Sequence, residues 1–318
     1  MTYLVTGGTG LIGSRIVRDL VLEGEQVVVY DWLPDRSSLE RLMNEEEIEN
    51  MIKIVQGEIT DLPHLFRTIT ENNVEKIIHT ASLLILDSNA NPYLAVKVNC
   101  EGTICVFEAA RILGLKKVVW SSSNACFGPP EKYPEEYIPN DAPHYPQNVY
   151  AATKSFNEVV AAYYFNQYGV DITGIRYMHV YGVGVRRGFF ATILQELILN
   201  PALEKPGRVP HGDAVIGWSY VDDPARATVM ASKVPRTKTR SYSIMGDVHS
   251  VSEAADYVKK ILPSADITVL PGTFTGDPVK FDTKLIEEEI GYRPQWSMER
   301  GIKETINMTR KDHGLPPI

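Results

Sequence analysis

Cysteine is scarce in this chain, and its three thiols form no metal-binding pattern. Cys100, Cys105 and Cys126 are odd in number and lack the spacing of metal ligands. Cysteines of this kind are typical of buried thiols in a reducing compartment. We therefore predict no metal site and expect a cytoplasmic protein.

Long apolar runs are also missing. No stretch of about 18 uncharged apolar residues occurs, so we expect no membrane insertion. Met1 is followed at once by the strand-like TYLVTGG, without the basic segment and apolar stretch of a signal peptide. Internal repeats and low-complexity tracts are absent from the sequence too, which leaves an ordinary globular protein as the expectation.

Basic residues are fewer than acidic ones. The chain has 32 Lys and Arg against 40 Asp and Glu, a formal net charge of −8. Binding to a phosphate backbone needs a basic face, so we do not expect nucleic acid as a partner. The most acidic run, NEEEIEN (44–50), predicts a solvated helix face or loop rather than a cation site.

What the chain does contain is an alternation of short β-branched runs with amphipathic segments. This alternation predicts a parallel sheet with helices on both faces, which is an α/β fold. The predicted buried strands are YLVTG, QVVVYD, IKIVQG, KIIHTA, KKVVWSSS and DITGIRY. RSYSIMG predicts one more strand that returns to the sheet, followed by the capped helix SVSEAADYVKKIL.

A length of 318 residues favours two lobes over one domain, with room for a cleft between them. Three prolines between residues 201 and 210 punctuate a segment that cannot be a regular strand throughout. We therefore predict a larger domain and a smaller C-terminal substrate-binding lobe. The larger domain is assigned residues 1–180 and 212–248, and the lobe is assigned residues 181–211 and 249–318.

The stretch VTGGTGLIG lies between the first predicted strand and the first predicted helix. Gly7, Gly10 and Gly13 let backbone N–H groups approach a diphosphate closely, while the helix N-terminus supplies partial positive charge. Asp31 ends the next strand, where a carboxylate binds an adenosine ribose diol and repels a 2′-phosphate. The pattern predicts a doubly wound, Rossmann-type domain that binds NAD rather than NADP. A capped loop without a ligand is the alternative, and Arg36 lies close enough to leave NADP open.

Tyr150 and Lys154 lie at positions i and i+4 of a predicted helix and so project from one face. The ammonium group and an oxidised nicotinamide would both lower the pKa of the phenol, making a general base near neutral pH. In the reverse direction the phenol would protonate an alkoxide as hydride arrives at its carbon. Upstream, VVWSSSNACFG ends a strand in hydroxyl groups, so Ser123 could orient the reacting oxygen. Surface helices also carry such pairs, which leaves a purely structural role as the alternative.

Taken together, these motifs resemble the extended short-chain dehydrogenase/reductases, the NAD-dependent epimerase/dehydratase family, nearly from end to end. GEITD resembles the family's adenine-contacting turn, and IIHTAS resembles its nicotinamide-side strand end. VNCEGT supplies the asparagine that in the family bonds backbone near the cofactor. YVDDPARA and GYRPQWSMERGI match later signatures.

The resemblance implies three sets of site residues. The catalytic set is Ser123, Tyr150 and Lys154. The cofactor-binding set is Gly7, Gly10, Leu11, Ile12, Gly13, Asp31, Glu58, Ile59, Thr80, Ala81, Ser82, Asn99, Tyr150, Lys154 and Met178. The substrate-binding set is Leu83, Ser123, Asn124, His179 and Arg187.

Departures from the family pattern bear on the substrate. Where nucleotide-sugar members commonly read R-x-x-N-V-Y-G, this chain reads RYMHVYG, with His179 in place of an asparagine that often helps to hold a diphosphate. Gly217 and Trp218 precede YVDD, where such members usually carry an Arg and an Asp, so an apolar wall is expected. Ser123 begins the stretch SNA where dehydratases carry T-D-E, which disfavours dehydration. Arg187 argues against a purely apolar wall, because its guanidinium could bind a substrate carboxylate or phosphate.

We therefore predict an enzyme that uses NAD for reversible hydride transfer at a secondary alcohol or ketone of a small hydroxy compound or sugar derivative. A nucleotide-sugar 4-epimerase that retains its NAD is the alternative, since both reactions begin with the same hydride abstraction. A non-catalytic dinucleotide sensor is a third hypothesis, which the catalytic set disfavours. The resemblance also implies a homodimer through two helices, one of which bears Tyr150. The apolar candidates on that helix, which could equally face the core, are Val159, Val160, Tyr163 and Tyr164.

Overall fold

The computed structural model describes residues 1–185, 189–273 and 280–318. Arg187, a member of the predicted substrate-binding set, lies outside these residues. The strands are β1 (Thr2–Thr6), β2 (Gln26–Asp31), β3 (Ile52–Gln56), β4 (Lys76–His79), β5 (Lys117–Ser123), β6 (Ile172–Tyr177), β7 (Val180–Tyr181), β8 (Gly207–Val209), β9 (Val215–Tyr220), β10 (Ser241–Ser243), β11 (Asp247–Ser250) and β12 (Ile267–Val269).

Helices connect and cover these strands. The α-helices are α1 (Leu11–Leu22), α2 (Ser37–Glu40), α3 (Glu45–Met51), α4 (Leu62–Glu71), α5 (Ile85–Ala90), α6 (Pro92–Ala95), α7 (Gly102–Leu113), α8 (Val149–Tyr168), α9 (Phe189–Leu194), α10 (Asn200–Ala202), α11 (Asp222–Lys233), α12 (Val251–Ile261), α13 (Lys284–Ile290) and α14 (Met298–Asp312). Val96–Glu101 and Gln195–Leu199 are π-helical, and Asn124–Phe127 and Pro130–Lys132 are 3₁₀ turns.

β1 occupies the interior of a parallel sheet. Within the described residues, seven parallel strands form this sheet in the order β10-β6-β5-β4-β1-β2-β3. β1 pairs with β2 on one side and with β4 on the other, so the strand order reverses between β1 and β4. A reversal of this kind opens a crevice at the carboxyl ends of the strands. The predicted α/β fold with a Rossmann-type sheet is confirmed, including the returning strand in RSYSIMG, which is β10 and pairs with β6.

Alternating side chains of the strands enter two hydrophobic cores. On β1, Tyr3 and Val5 pack into the core that contains the apolar faces of α1 and α11. Leu4, between them, packs into the core that contains the apolar faces of α4 and α7. Side chains alternate between the two faces of a strand, and helices cover both faces of this sheet. The predicted strands therefore read as continuous apolar runs rather than as an alternating pattern.

Beyond the central sheet, a further hydrophobic core surrounds the buried Trp218. In the described part of the chain, β9 pairs with β7 and β11 in one small sheet, and β8 pairs with β12 in another. α12 and α14 pack onto this core through residues such as Val258 and Ile302. β9 falls within 212–248, which we assigned to the larger domain, and the division of the chain into domains stays a prediction.

Several local predictions are confirmed. Ser250 begins α12 in a reciprocal capping box with Glu253, as expected of the capped helix SVSEAADYVKKIL. The acidic run forms α3, whose first turn is capped in the same way by Asn44 and Glu47. The three cysteines all lie in the described residues and are buried free thiols. Across those residues, every helix is too short or too polar to cross a lipid bilayer.

Candidate active site

The glycine turn follows β1 and lies against the end of β4. Gly7 adopts φ +66°, and a Cβ there would stand 2.8 Å from the backbone nitrogen of Ala81. A Cβ on Gly13 would stand 2.1 Å from the carbonyl oxygen of Gly7, far inside van der Waals contact. The Gly10 N–H donates to the same oxygen at 3.0 Å and closes the turn. Side chains are therefore excluded at the first and third glycines of the motif.

The N-terminus of α1 lacks a capping side chain. Gly10 precedes the helix and carries no group that could accept from the first-turn N–H groups. N–H groups at such a helix end bind phosphate oxygens, helped by the helix dipole. Leu11 and Ile12 open the helix half-buried and pack towards the core around Trp218. The uncapped helix end and the glycine turn, which a Cβ would fill, fit the diphosphate of a dinucleotide.

Asp31 ends β2 with its carboxylate beside the glycine turn. Its Oδ2 accepts hydrogen bonds from Thr9 Oγ1 at 2.8 Å and from the Thr9 N–H at 3.3 Å. Its Oδ1 accepts from the Leu33 N–H at 3.3 Å. These bonds fix the carboxylate at the carboxyl end of β2, where the adenosine ribose of a dinucleotide binds in Rossmann-type folds.

Arg36 is the residue that kept NADP binding as an alternative in the sequence analysis. In the structure, Arg36 forms ion pairs with acidic residues. Its guanidinium pairs with Glu40 and Glu49 at 2.9 Å each, and also with Glu45. These carboxylates accept from its Nε and Nη2 and would repel a 2′-phosphate. The arrangement favours NAD over NADP.

Replacing Asp31 with asparagine should weaken NAD binding by about 10- to 100-fold, because hydrogen bonds to a charged acceptor contribute about 1.5–3 kcal/mol. The same change should narrow the preference for NAD over NADP, since the repulsion of a 2′-phosphate is lost. Fluorescence titrations with NADH and NADPH measure both affinities. Thr9→Val is the control, because it removes a contact of Asp31 and keeps the charge. An Asp31→Asn protein with unchanged preference would contradict the assignment.

Asn99 holds the backbone that follows β4. Its buried amide accepts from the Leu83 N–H at 2.8 Å and donates to the Leu83 carbonyl at 3.1 Å. Ser82 Oγ donates to the same amide oxygen at 3.2 Å, and Thr80 Oγ1 donates to the Thr6 carbonyl at 2.8 Å. The predicted nicotinamide-side residues are thus tied both to β1 and to the π-helical turn that bears Asn99.

Glu58 and Ile59 follow β3 in the turn assigned to adenine. The Glu58 side chain is exposed, while its backbone carbonyl accepts from Tyr30 Oη at 3.0 Å. Ile59 is buried against Gly102, where a Cβ would stand 2.5 Å from an Ile59 methyl group. These contacts account for the packing of the turn, and its contact with adenine stays a prediction.

Tyr150 and Lys154 lie in the first two turns of α8. Asn148 caps this helix by accepting from the Ala151 N–H at 2.9 Å. The Lys154 Nζ lies 5.5 Å from the centroid of the Tyr150 ring. Lys154 is buried and donates to the Ser121 carbonyl at 2.7 Å. The ammonium group is therefore held between α8 and β5, beside the phenol ring.

Burial lowers the pKa of Lys154 to about 8. Within the described residues, its hydrogen bonds go to the carbonyl and hydroxyl of Ser121, and no carboxylate lies at ion-pairing distance. The side chain still carries its charge at neutral pH, at a cost to the folded state. A buried ammonium group with a lowered pKa, beside a phenol at the carboxyl end of the sheet, marks a candidate functional site.

Replacing Lys154 with methionine should improve stability more at pH 7 than at pH 10.5. Because the folded-state pKa lies near 8 and the ordinary value is 10.5, the buried ammonium costs about 3 kcal/mol below pH 8. That cost declines between pH 8 and pH 10.5, where the folded lysine is neutral and the unfolded chain still binds the proton. Thermal melts of both proteins across this range measure the difference, with Lys53→Met, at an exposed position of β3, as control. A stability difference that is the same at both pH values would contradict the burial argument.

Ser123 and Asn124 stand where β5 ends in a 3₁₀ turn. Ser123 Oγ accepts from the Ala125 N–H at 3.2 Å, and its O–H can still donate to a ligand. Asn124 Nδ2 donates to the Ile244 carbonyl at 3.1 Å. In the part of the chain that the structure describes, the buried Asn124 Oδ1 has no hydrogen-bond partner. Buried acceptors are normally paired, so this oxygen is a candidate contact for a substrate.

His179 follows β6 with φ +32° and lies against an apolar wall. Its ring centroid lies 5.9 Å from that of Phe190, which in turn lies 5.4 Å from that of Trp218. Met178 is buried against Gly217, where a Cβ would stand 1.9 Å from the Met178 methyl group. Burial lowers the pKa of His179 to about 4, so the imidazole is neutral at pH 7. Its Nδ1 is buried without a partner among the described residues.

Two residues that shape this site, Thr9 and Ser121, are absent from the sets predicted from the sequence. Thr9 binds the carboxylate of Asp31, and its place between two motif glycines was the available signal. Ser121 binds Lys154 through its backbone carbonyl, a group that every residue type supplies. That contact therefore left no signal in the sequence.

Comparisons with known proteins agree with this geometry. The model of the NAD dependent epimerase/dehydratase family matches residues 3–244. A UDP-glucose 4-epimerase from Lacticaseibacillus casei is 31% identical over 333 residues, covering 98% of each chain. The solved UDP-glucose 4-epimerase of Thermotoga maritima with UDP-glucose matches with a TM-score of 0.83 at 25% identity, over 98% of this chain and 100% of that one. A GalE-like L-threonine dehydrogenase from Cupriavidus necator shares the fold, with a TM-score of 0.83 at 21% identity over 96% of this chain and 99% of that one.

Proposed function

The chain belongs to the NAD dependent epimerase/dehydratase family, and we propose that this NAD-dependent enzyme reversibly oxidises a secondary alcohol of a small hydroxy compound or sugar derivative. The observation that carries the proposal is the pairing on α8, where the Lys154 ammonium lies 5.5 Å from the Tyr150 ring. The pair lies against the carboxyl end of β5, the sheet edge at which open α/β folds bind ligands, and this position supports turnover over a non-catalytic role. The hypothesis of a non-catalytic sensor is accordingly set aside.

Bound NAD supplies the carbon that accepts hydride. Gly7, Gly10 and Gly13 would hold its diphosphate at the uncapped end of α1. Asp31 would hold its adenosine ribose and Lys154 its nicotinamide ribose.

Side chains of this protein would carry out the proton transfer. Tyr150 would take the proton of the substrate hydroxyl as hydride leaves the neighbouring carbon, and would return it in the reverse direction. Lys154 would favour the phenolate, because a cation beside a phenol stabilises its ionised form. Ser123 would donate a hydrogen bond to the reacting oxygen, which keeps that oxygen within reach of Tyr150.

A small substrate is supported by the wall beside the site. A diphosphate requires fixed cations or amide donors, whereas His179 is neutral and packs against Phe190. A neutral imidazole with an unpaired nitrogen suits a hydroxyl or carbonyl group. Trp218, fully buried, stands near where nucleotide-sugar members of the family usually carry charged residues.

A UDP-sugar 4-epimerase is the second candidate, and the relative with 31% identity favours it. The two reactions share the first hydride transfer to NAD. They differ in the fate of the ketone. An epimerase rotates the ketone within the site and reduces it again before release.

Incubation of the purified enzyme with NAD separates the two candidates. The probes are an alcohol panel of L-threonine, 3-hydroxybutyrate and galactose, together with UDP-glucose. NADH formed in proportion to an oxidised alcohol supports the dehydrogenase. UDP-galactose formed from UDP-glucose without net NADH supports the epimerase. Absence of turnover with every probe would overturn the proposal.

We also propose a homodimer, because α8 exposes an apolar stripe. Phe156, Val159 and Tyr163 are 44%, 71% and 54% exposed, and they lie at i, i+3 and i+7 on one face of the helix. Val160 and Tyr164, the other predicted candidates, pack into the core of the central sheet. The spacing supports contact between α8 and a second copy of this chain.

Val159→Glu should therefore lower the association state of the protein in sedimentation velocity. Val215→Glu is the matched control, since Val215 is exposed on β9, away from that stripe. A wild-type protein that sediments as a monomer would exclude the dimer.

A cytoplasmic location is part of the same proposal, supported by the three free thiols, and recovery in the soluble cytoplasmic fraction tests it.

A further inference from the structure

The face of α8 that carries Tyr150 and Lys154 continues one turn further to Glu158. The three residues are spaced i, i+4 and i+8, so they follow one another along the helix. Glu158 is buried, with 9% of its side chain exposed, and it takes no part in the proton transfer described above. A carboxylate is seldom buried in this way unless specific partners compensate its charge.

Glu158 binds both strands on which α8 packs. Its Oε1 accepts from Ser122 Oγ on β5 at 2.6 Å. Its two oxygens accept from Arg176 Nε and Nη2 on β6 at 2.8 Å and 2.7 Å. Ser122 and Arg176 are direct partners in the β5–β6 register. One carboxylate therefore joins the helix to neighbouring positions on two strands.

A second contact holds the same end of β5 to α8. Lys154 binds the carbonyl of Ser121 at 2.7 Å, while Glu158 binds the hydroxyl of Ser122 at 2.6 Å. Successive turns of the helix thus bind successive residues of the strand, and Ser123 comes next. Tyr150 lies one turn before Lys154 on α8, and Ser123 follows Ser122 on β5, so the phenol and the hydroxyl belong to the two elements that these contacts join.

Arg176 has further partners of its own. Its Nη1 donates to the Asn140 carbonyl at 2.7 Å, and its guanidinium carbon lies 4.9 Å from the centroid of Phe127. Burial alone would raise the pKa of Glu158, but Arg176 outweighs burial and holds that pKa below its usual range. The His144 Nε2 lies 3.7 Å from a carboxylate oxygen, and burial lowers the pKa of this imidazole. Glu158 and Arg176 form an ion pair of opposite charge within the cluster.

We propose that Glu158, together with Arg176 and Ser122, acts as a positioning cluster that sets how α8 sits on β5. The cluster thereby sets the distance between Tyr150 and the substrate oxygen bound by Ser123. The inference rests on the function proposed above, because hydride transfer with a coupled proton transfer is sensitive to that distance. A displacement of about 1 Å in such a site lowers turnover by about 10²-fold.

Ser122→Ala tests the positioning cluster directly, because it removes one uncharged contact and leaves the ion pair in place. With the alcohol panel and UDP-glucose as probes, kcat should fall by about 10- to 100-fold, with KM within about threefold and NADH affinity unchanged. The primary deuterium isotope effect on kcat should rise, since a longer transfer distance makes the hydride step limiting. Ser122→Thr, which restores the hydroxyl, should recover part of the rate.

Ser232→Ala is the matched control. Ser232 lies on α11, is as buried as Ser122, and donates to the Val229 carbonyl at 2.7 Å. This variant should lose thermal stability and keep wild-type kcat and isotope effect. Glu158→Gln is a second variant that keeps the side-chain shape and removes the ion pair, with a larger loss of kcat expected. Should Glu158→Gln fail to fold, Ser122→Ala still decides the matter.

Two failures can be told apart. Ser122→Ala with wild-type kcat and isotope effect would overturn the positioning role and leave the proposed function standing. Wild-type protein that turns over none of the probes would overturn the proposed function. In that case amide hydrogen exchange tests the positioning role of the cluster, because it does not require turnover. Faster exchange over residues 149–156 in Ser122→Ala, with no change in Ser232→Ala, supports the cluster, and equal exchange in both overturns it.

Discussion

Tyr150→Phe should lower kcat by about 10²- to 10⁴-fold, the usual contribution of a general acid–base group. The substitution removes one hydroxyl and keeps the ring, which lies 5.5 Å from the Lys154 ammonium. NADH affinity should fall much less than kcat, because Tyr150 is only one of the predicted cofactor contacts and those to the diphosphate and the adenosine ribose lie elsewhere. Steady-state kinetics with the alcohol panel and UDP-glucose, together with NADH titration, measure both quantities.

Tyr163→Phe is the matched control for this prediction. Tyr163 lies on the same helix and is 54% exposed, so the loss of its hydroxyl should leave kcat within about twofold of wild type. A Tyr150→Phe enzyme that keeps most of its turnover would remove the phenol from the mechanism. In that case the pairing on α8 would be structural.

Gly13→Ala should weaken NADH binding by about 10- to 100-fold and destabilise the fold, because overpacking at a fixed backbone contact costs about 1–3 kcal/mol. The new Cβ would stand 2.1 Å from the Gly7 carbonyl oxygen, so the turn must open or α1 must move. Either change displaces the N–H groups that would hold the diphosphate. Titration with NADH and thermal melts measure the two losses separately.

Gly114→Ala separates lost stability from lost binding. Gly114 ends α7 with φ +65° in open space, so alanine there strains the backbone without touching the glycine turn. This control should melt at a lower temperature and bind NADH as wild type does. Equal NADH affinity in Gly13→Ala and wild type would show that the turn is not the diphosphate site.

The sequence predicted those parts of the molecule that depend on local constraints. The strands of the central sheet could be read because both of their faces are covered, which requires continuous β-branched runs. The glycine turn could be read because its members contact one another within a few residues, as Gly13 does with Gly7. The i and i+4 spacing of Tyr150 and Lys154 likewise follows from the helix alone.

The remaining features depend on contacts between distant parts of the chain. Ser122 and Glu158 are 36 residues apart, and Asn124 and Ile244 are 120 apart, so no periodicity links them. Burial of Lys154 and His179, which lowers the pKa of each, is likewise set by the packing of whole elements. These properties could be obtained from the structure and not from the residue pattern.

The apolar surface of α8 illustrates the same limit. Two neighbouring stripes of this helix carry valine and tyrosine, so hydrophobic periodicity could not decide which one faces the core. In the structure, Val160 and Tyr164 pack against the sheet, while Val159 and Tyr163 stay exposed. The choice depends on how α8 is rotated on the sheet, and in the observed orientation Glu158 accepts a hydrogen bond from Ser122.

A crystal structure of the enzyme with NADH and an unreactive analogue of its alcohol substrate would test the role of Tyr150. We expect the Tyr150 Oη to lie about 2.6–3.2 Å from the analogue's oxygen, with that oxygen also bonded to Ser123. We also expect the Lys154 Nζ to turn from the Ser121 carbonyl towards the nicotinamide ribose or to bridge the two. A complex in which the Tyr150 hydroxyl points away from the nicotinamide, with the analogue bound by other groups, would rule out Tyr150 as the acid–base group.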